Sequence, residues 1–273
     1  MIKTFFQNKA AVISGAVIAV IFLVAVIAPF AMSADPMRQD LTLRLSPPGG
    51  GHILGTDELG RDVLARLLAG TRNSLLIATL PTALAVVIGA VLGILGGFYG
   101  KTIDLFITWF TDVTLSFPGM LLAMVIMYTF GGSFLSVLIA IVFMEFGSIA
   151  RIVRSVTVSI KENEYIQAAQ AMGVRKFSII VKHILPNLAP TLIVLFTLNM
   201  PNSILSESSL SFLGMGIQPP DVSLGLMVNQ SKTLLFQMPW LALAPSVMIM
   251  ILVMAFNYLG DALRDILDPK TKY

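Results

Sequence analysis

With only two histidines and no cysteine among 273 residues, the chain has little with which to hold a metal ion or build a thiolate nucleophile. His52 and His183 each lack a second histidine or carboxylate at ligand spacing, so each reads as a surface or loop residue rather than a ligand. The absence of cysteine excludes disulfides and thiolate metal sites without choosing a compartment. No GxxxxGK[ST] phosphate loop occurs, so hydrolysis of ATP would have to belong to another chain. Two carboxylates stand out, Glu145 and Glu207, because each sits in an otherwise apolar stretch where charge is costly and usually functional. Both fall near the ends of their stretches, where an interfacial carboxylate costs little, and that plainer reading is favoured.

The most informative local pattern is polar. From Lys161 to Gly173 the run KENEYIQAAQAMG reads as a short helix opened by acidic residues and closed by glycine. A second short helix is expected over Val174 to Ile184, stopped at Leu185, Pro186 and Asn187. Helix, glycine turn, helix and proline stop make a compact elbow, with Ala168 and Ala169 small enough for a partner's groove to close around them. By spacing alone two readings stand equal: a rigid projection on which a soluble motor could push, or an amphipathic loop lying on a membrane.

The elements that must hold this elbow are membrane spans. Hydrophobic residues make up 56% of the chain and charged residues 12%, and mean hydropathy is +0.86, too little charge to cover a soluble surface. The net charge of +3 comes from scattered basic pairs rather than a stripe, which argues against a nucleic-acid partner and for membrane lipid. Six stretches approach the length needed to cross a bilayer: Ala10 to Met32, Ser74 to Phe98, Val113 to Phe130, Phe134 to Ile149, Leu188 to Leu205 and Trp240 to Leu259. The first follows Lys3 and Lys9 but is too long for a signal core and lacks a small-residue cleavage site, so it reads as a retained span. Between the first two, Ser33 to Asn73 is expected to be an ordered loop, rich in Pro36, Pro47, Pro48 and Gly49 to Gly51, ending in an interfacial amphipathic helix over Leu59 to Leu68. The chain thus divides into 1–73, a core at 74–262 and a tail at 263–273. With both termini cytoplasmic, Lys101, the basic loop from Arg151 to Lys182, and Arg264, Lys270 and Lys272 all lie inside, which outweighs the arginines of the first loop. Gly89, Gly93 and Gly97 recur every four residues and read as ordinary close helix packing, while Pro81, Pro118 and Pro201 mark expected kinks.

The stretch EYIQAAQAMGVRKFSIIVKHILPN resembles the permease signature of binding-protein-dependent ABC importers: EAA, three residues, Gly, nine residues, Ile, one residue, Leu-Pro. Ala168, Ala169, Gly173, Leu185 and Pro186 match; Gln167 replaces Glu and His183 replaces Ile, departures usual in the dipeptide, oligopeptide and nickel permease subfamily. HILGTDELGRDVLARLLAGTRNSL, SESSLSFLGMGIQPP and FNYLGDALRDILDP resemble, in order, segments of that subfamily's C-type subunit; Phe146 and Leu224 stand where it often has Trp.

That resemblance implies an all-α polytopic membrane protein of six transmembrane helices, with the type I importer permease fold and a cytoplasmic coupling helix. It implies a subunit of the cytoplasmic membrane without its own ATPase site, joined by a sister permease, two ATP-binding subunits that carry ATP and Mg, and an extracytoplasmic solute-binding protein. Glu164, Tyr165, Ala168, Ala169, Ala171 and Gly173 would then make the ATPase-coupling surface, and Glu145, Asn199 and Glu207 are the candidates for the translocation path. The implied cargo is dipeptides or oligopeptides. A nickel or metal-chelate importer is the alternative within the class, and a proton-coupled secondary transporter the alternative outside it, although no inverted repeat and no paired carboxylate relay is visible.

Overall fold

The computed structural model describes residues 6, 8–31, 35–49 and 51–267. Lys3, Met32, Ser33, Gly50, Pro269, Lys270 and Lys272, which enter the sequence expectations, lie outside these. Among the described residues the fold is all α, with only two isolated β-bridges and no strand. Among the described residues five helices are long and apolar enough to cross a membrane, and there are six spans if one sharply bent pair counts as a span.

Helix α1, Lys9–Ala31, is started by Asn8, whose Oδ1 accepts from the N–H groups of Ala10 and Ala11 at 3.0 and 3.2 Å. It turns Ala11, Ser14 and Ala25 inward and leaves Ile13, Val20 and Leu23 exposed, as lipid-facing helices do. The loop that follows is ordered by its own hydrogen bonds: Asp40 caps the 3₁₀ turn Leu41–Leu43, and Leu45 N–H donates to the Asp57 carbonyl at 3.1 Å. The Thr42 hydroxyl and N–H hold the Asp40 carboxyl below its ordinary value. Gly60 is required here, since its φ is +70° and a Cβ would collide with the Asp40 carbonyl.

Helix α2, Val63–Tyr99, begins eleven residues before the expected span at Ser74. Leu59–Asp62 are loop, and the rest of the expected interfacial helix is the first turns of a single 37-residue helix, inside which residue 73 lies. Asp62 is its N-cap, accepting from Ala65 N–H at 2.8 Å, and Asp57 pairs with Arg61 and Arg66, so these arginines are buried instead of resting at a membrane surface.

The expected third span is also corrected. It is a helix pair, α3 (Lys101–Ser116) and α4 (Gly119–Phe130), bent by 83° at Phe117 and Pro118. Proline pushes the preceding residue into extended backbone and offers no N–H to continue the first helix. Pro81 and Pro201, by contrast, lie inside helices that continue past them.

Helix α5, Phe134–Lys161, is capped by Ser133 and runs twelve residues beyond the expected end at Ile149, so Arg151 and Arg154 stand on a helix and not in a loop. After the short α6, Glu164–Ala171, the chain re-enters the bundle through α7, Lys176–Ile179, a π turn at Ile180–Ile184, and α8, Leu185–Phe212. The expected stop at Leu185 and Pro186 does not occur. The wider π turn just before Pro186 absorbs the missing N–H and ring bulk that would end a regular helix. Ser206 to Phe212, expected between spans, therefore belongs to α8. Helix α9, Leu224–Ser231, is capped by Ser223 and tucks between α2, α8 and α10, the last being Trp240–Leu267.

Among the described residues two large apolar cores result, beside two smaller clusters in which α4 packs on α5 through Met127 and Val137 and through Ala123 and Ala140. One large core joins α2, α5 and α8 with the segment around α6, through Phe98, Ile149, Val153, Ile166, Ile179 and Leu188; the other joins α1, α2, α8, α9 and α10 through Val63, Ile204, Leu224 and Leu252.

Candidate coupling elbow and buried carboxylates

The elbow stands where α2 and α5 end. Its helix α6 begins at Glu164 behind Asn163, whose carbonyl accepts from Ile166 and Gln167 N–H. It ends in a Schellman turn: Gly173 N–H donates to the Gln170 carbonyl at 3.0 Å and Val174 N–H to that of Ala169 at 3.1 Å. Gly173 has φ +75°, so glycine closes the helix as its position predicts.

The faces of α6 divide cleanly. Ile166 and Ala169 are buried in the same core as Ile149 and Val153, which seats the elbow on the bundle. The sequence reading puts Ala168 and Ala169 on one outer face; instead Ala169, about 100° further around the helix, turns inward while Ala168 stays exposed. Glu164, Ala168, Ala171 and Gly173 are exposed. Tyr165 is half exposed and held from the side, its ring 6.2 Å from that of His183 and its hydroxyl accepting from Asn187 Nδ2 at 3.3 Å.

Two exposed residues escaped the sequence reading. Met172 and Phe177 are each 76% exposed, flanking the glycine turn. The signal was available: both are large apolar residues in a polar segment, off the inward face set by Ile166, Ala169 and Ile179. Beneath them, Lys161 lies 5.8 Å from the Phe98 ring centre and Lys176 5.4 Å from that of Tyr99, which fastens both sides of the elbow to the end of α2. Arg154 of α5 makes a bidentate pair with Asp104 of α3, and Arg151 Nη2 lies 2.7 Å from Asp112 Oδ1.

The buried carboxylates are not interfacial, and that expectation is corrected. Glu145 sits within α5, 7% exposed, its Oε1 accepting from Ser203 Oγ of α8 at 2.6 Å; Ser203 Oγ is also 2.6 Å from Thr82 Oγ1 of α2. Glu207 is fully buried in α8, its Oε1 accepting from Ser211 Oγ at 2.6 Å. Each has a second oxygen without a protein partner. The extra length of α5 places Glu145 mid-helix, and Glu207 is followed by a further turn of α8 that keeps it enclosed. Asn199 is half-buried and donates to the Leu195 carbonyl of its own helix at 2.7 Å. The fold thus gives Glu145, Asn199 and Glu207 separate sets of partners and does not assemble them into one site. Thr82 and Ser203 could not have been linked to Glu145 from the sequence, being separated from it by about two helices each.

A family model described as binding-protein-dependent transport system inner membrane component matches residues 67–273, and one described as the N-terminal TM domain of oligopeptide transport permease C matches residues 1–48. The chain is 38% identical to the dipeptide transport system permease protein DppC of Alkalihalophilus pseudofirmus, over 97% of this chain and 88% of that one. It is 36% identical to the glutathione transport system permease protein GsiD of Pectobacterium atrosepticum, over 99% and 90%. Identity to the oligopeptide transport system permease protein OppC of Mycobacterium bovis is also 36%, over 100% and 94%. Among solved structures, an inward-facing form of the MetNI methionine ABC transporter superposes with a TM-score of 0.61 at 19% identity, covering 74% of this chain and 96% of that one, which speaks for the fold.

Proposed function

The chain belongs to the binding-protein-dependent transport system inner membrane component family, a transport component rather than an enzyme, and from that premise we propose that it forms half the path of an ATP-driven importer of short peptides. Its sister permease would supply the other half, two separate ATP-binding subunits carrying ATP and Mg would drive it, and an extracytoplasmic binding protein would deliver cargo. Relatives named for dipeptide, oligopeptide and glutathione transport favour peptides over nickel or metal chelates as cargo. Family membership likewise favours an ATP-driven device over a proton-coupled one.

The observation that carries this reading is the two-faced elbow. Its inner face, Ile166 and Ala169, is locked into the α2–α5–α8 core, while its outer side presents Ala168, Ala171, Met172 and Phe177 to a partner. A force applied to that side passes directly into three spans. The orientation that serves this role places both termini and the elbow in the cytoplasm, on the side that the lysines and arginines favour.

Replacing Gly173 would strain its left-handed backbone whatever its partners, so Ala168→Arg, on an exposed helical position, is the cleaner test. The chain is co-purified with its sister and ATPase subunits. Loss of the ATPase subunits, or of hydrolysis coupled to peptide uptake, with a monodisperse membrane part is the expected result. Unchanged assembly and coupled hydrolysis would overturn the assignment.

A further inference from the structure

The exposed residues of α5 change character halfway along the helix. Up to Gly147 they are apolar, Leu135 and Phe143. Beyond it they are Ser148, Arg151, Ile152, Ser155 and Ser159. The polar members of this second set share an arc of about 80° around the axis. Asp112 of α3 stands beside them, its Oδ1 accepting from Arg151 Nη2 at 2.7 Å. The same stripe borders open space, since Ile152 lines a hollow of about 490 Å³ with Thr191 and Leu198 of α8 and Arg264 of α10.

Depth makes this stripe informative. Helix α5 has 28 residues, about 42 Å at 1.5 Å per residue, against a hydrocarbon core of about 30 Å. A core centred on α5, or shifted a full turn toward its N-terminus, takes in both Ser148 and Arg151, and Asp112 lies about 16 Å along α3 from Lys101. An ion pair with side chains 61% and 54% exposed is costly against lipid tails there, where ionisable groups turn to protein or to a water-filled cavity. Serines continuing down the same face suit water. One hydrogen bond joins Arg151 to Asp112, whereas the Arg154–Asp104 pair beside it is bidentate, so the exposed pair opens at small cost. A balanced pair is also the complement of a zwitterion, which brings one charge of each sign. We propose that this face of α5, with Asp112, lines the water-filled cytoplasmic half of the translocation path, where Arg151 takes the carboxylate and Asp112 the ammonium of a passing peptide. That role rests on the chain being half of a peptide path, and it puts the cargo away from the enclosed Glu145 and Glu207.

The chain holds no cysteine, so single cysteines can be read in the full assembly with its sister and ATPase subunits. Inside-out vesicles carrying Ser148→Cys or, as the lipid-facing reference on α1, Val20→Cys are treated with a membrane-impermeant cationic methanethiosulfonate. Labelling is read on this chain after the subunits are separated. Ser148→Cys should react roughly ten times faster than Val20→Cys, because the reagent attacks the thiolate, which forms in water and not in lipid. L-alanyl-L-alanine at about ten times its dissociation constant should slow that labelling roughly tenfold. Adding Arg151→Gln or Asp112→Asn should remove the slowing. A Ser148→Cys that reacts no faster than Val20→Cys is covered by lipid or by the sister permease, which overturns the proposal. Fast labelling that the peptide does not slow overturns the role of the pair. If a nickel–histidine chelate slows it instead, the peptide reading fails while the water-lined face stands. Water access is measured without motor or cargo, so this result separates from that of Ala168→Arg.

Discussion

The seam between α2 and α5 and the broken pair α3–α4 are built from similarly apolar sequence, yet they pack in opposite ways. At the seam the helix backbones nearly touch: a Cβ added to Gly93 would meet the Ala150 carbonyl oxygen at 2.6 Å, and one added to Gly89 or Gly97 would meet Ile149 at 2.7 Å or the Arg154 carbonyl at 2.8 Å. Thr82, Glu145 and Ser203 then cross-link the same helices to α8. On α3–α4 only Ile107, Thr111, Ala123 and Met127 are buried, while Phe106, Trp109, Leu121, Val125 and Tyr128 face outward. One region is packed on both sides within the chain; the other packs on α5 by one face and leaves the rest of its apolar surface outward. Close packing without a hydrophobic driving force needs small residues, which the seam repeats every four positions and the outer pair holds only at isolated places such as Gly119 and Ala123.

The largest test of this contrast is Gly93→Leu. Its contacts are with backbone as well as side chain, so the helices must part, and a cost of about 3 kcal/mol or more is expected. Loss of monodisperse protein in detergent, together with a lowered unfolding midpoint, would register it. A normal midpoint would show that the seam yields and that the contrast is wrong. Next in size, Glu145→Ala should cost about 1–3 kcal/mol, because it empties a buried volume and removes an acceptor from Ser203. Glu145→Gln, which keeps an acceptor oxygen, should recover most of that in the same unfolding measurement; equal losses would mean that shape rather than hydrogen bonding holds the cross-link.

On the outer pair, Trp109→Ala should change the isolated chain by no more than about 0.5 kcal/mol, as exposed substitutions do, while weakening co-purification with a sister permease. If it destabilises the isolated chain as much as the seam variants, α3 belongs to the core. A similarly small effect is expected where the regions meet on the surface. Arg151 and Asp112 are 61% and 54% exposed, and a double-mutant cycle on them should return less than about 1 kcal/mol, falling as salt is raised.

Sequence alone determined the membrane class, the approximate positions of the spans and the elbow. Uninterrupted apolar runs have no other stable solution in water, and the spacing from Ala168 through Gly173 to Pro186 carries its own turn chemistry. Helix ends were less legible. Lys161 and Phe212 close helices whose last turns mix polar with buried apolar residues such as Ile160 and Leu210, and the polar side chains nearby find partners in the fold, Arg154 with Asp104 and Glu207 with Ser211. The glycine spacing on α2 was visible, but its partner helix was not.

Tertiary structure alone decided which alanine of the elbow faces the core, that Glu145 meets hydroxyls from two other helices, and that Arg66 is buried with one edge unpaired. The physical reason is common to all three. Periodicity fixes the direction of a side chain relative to its own helix, whereas what it meets depends on contacts such as Thr82 with Ser203 or Arg66 with Gln230, which join residues 121 and 164 positions apart.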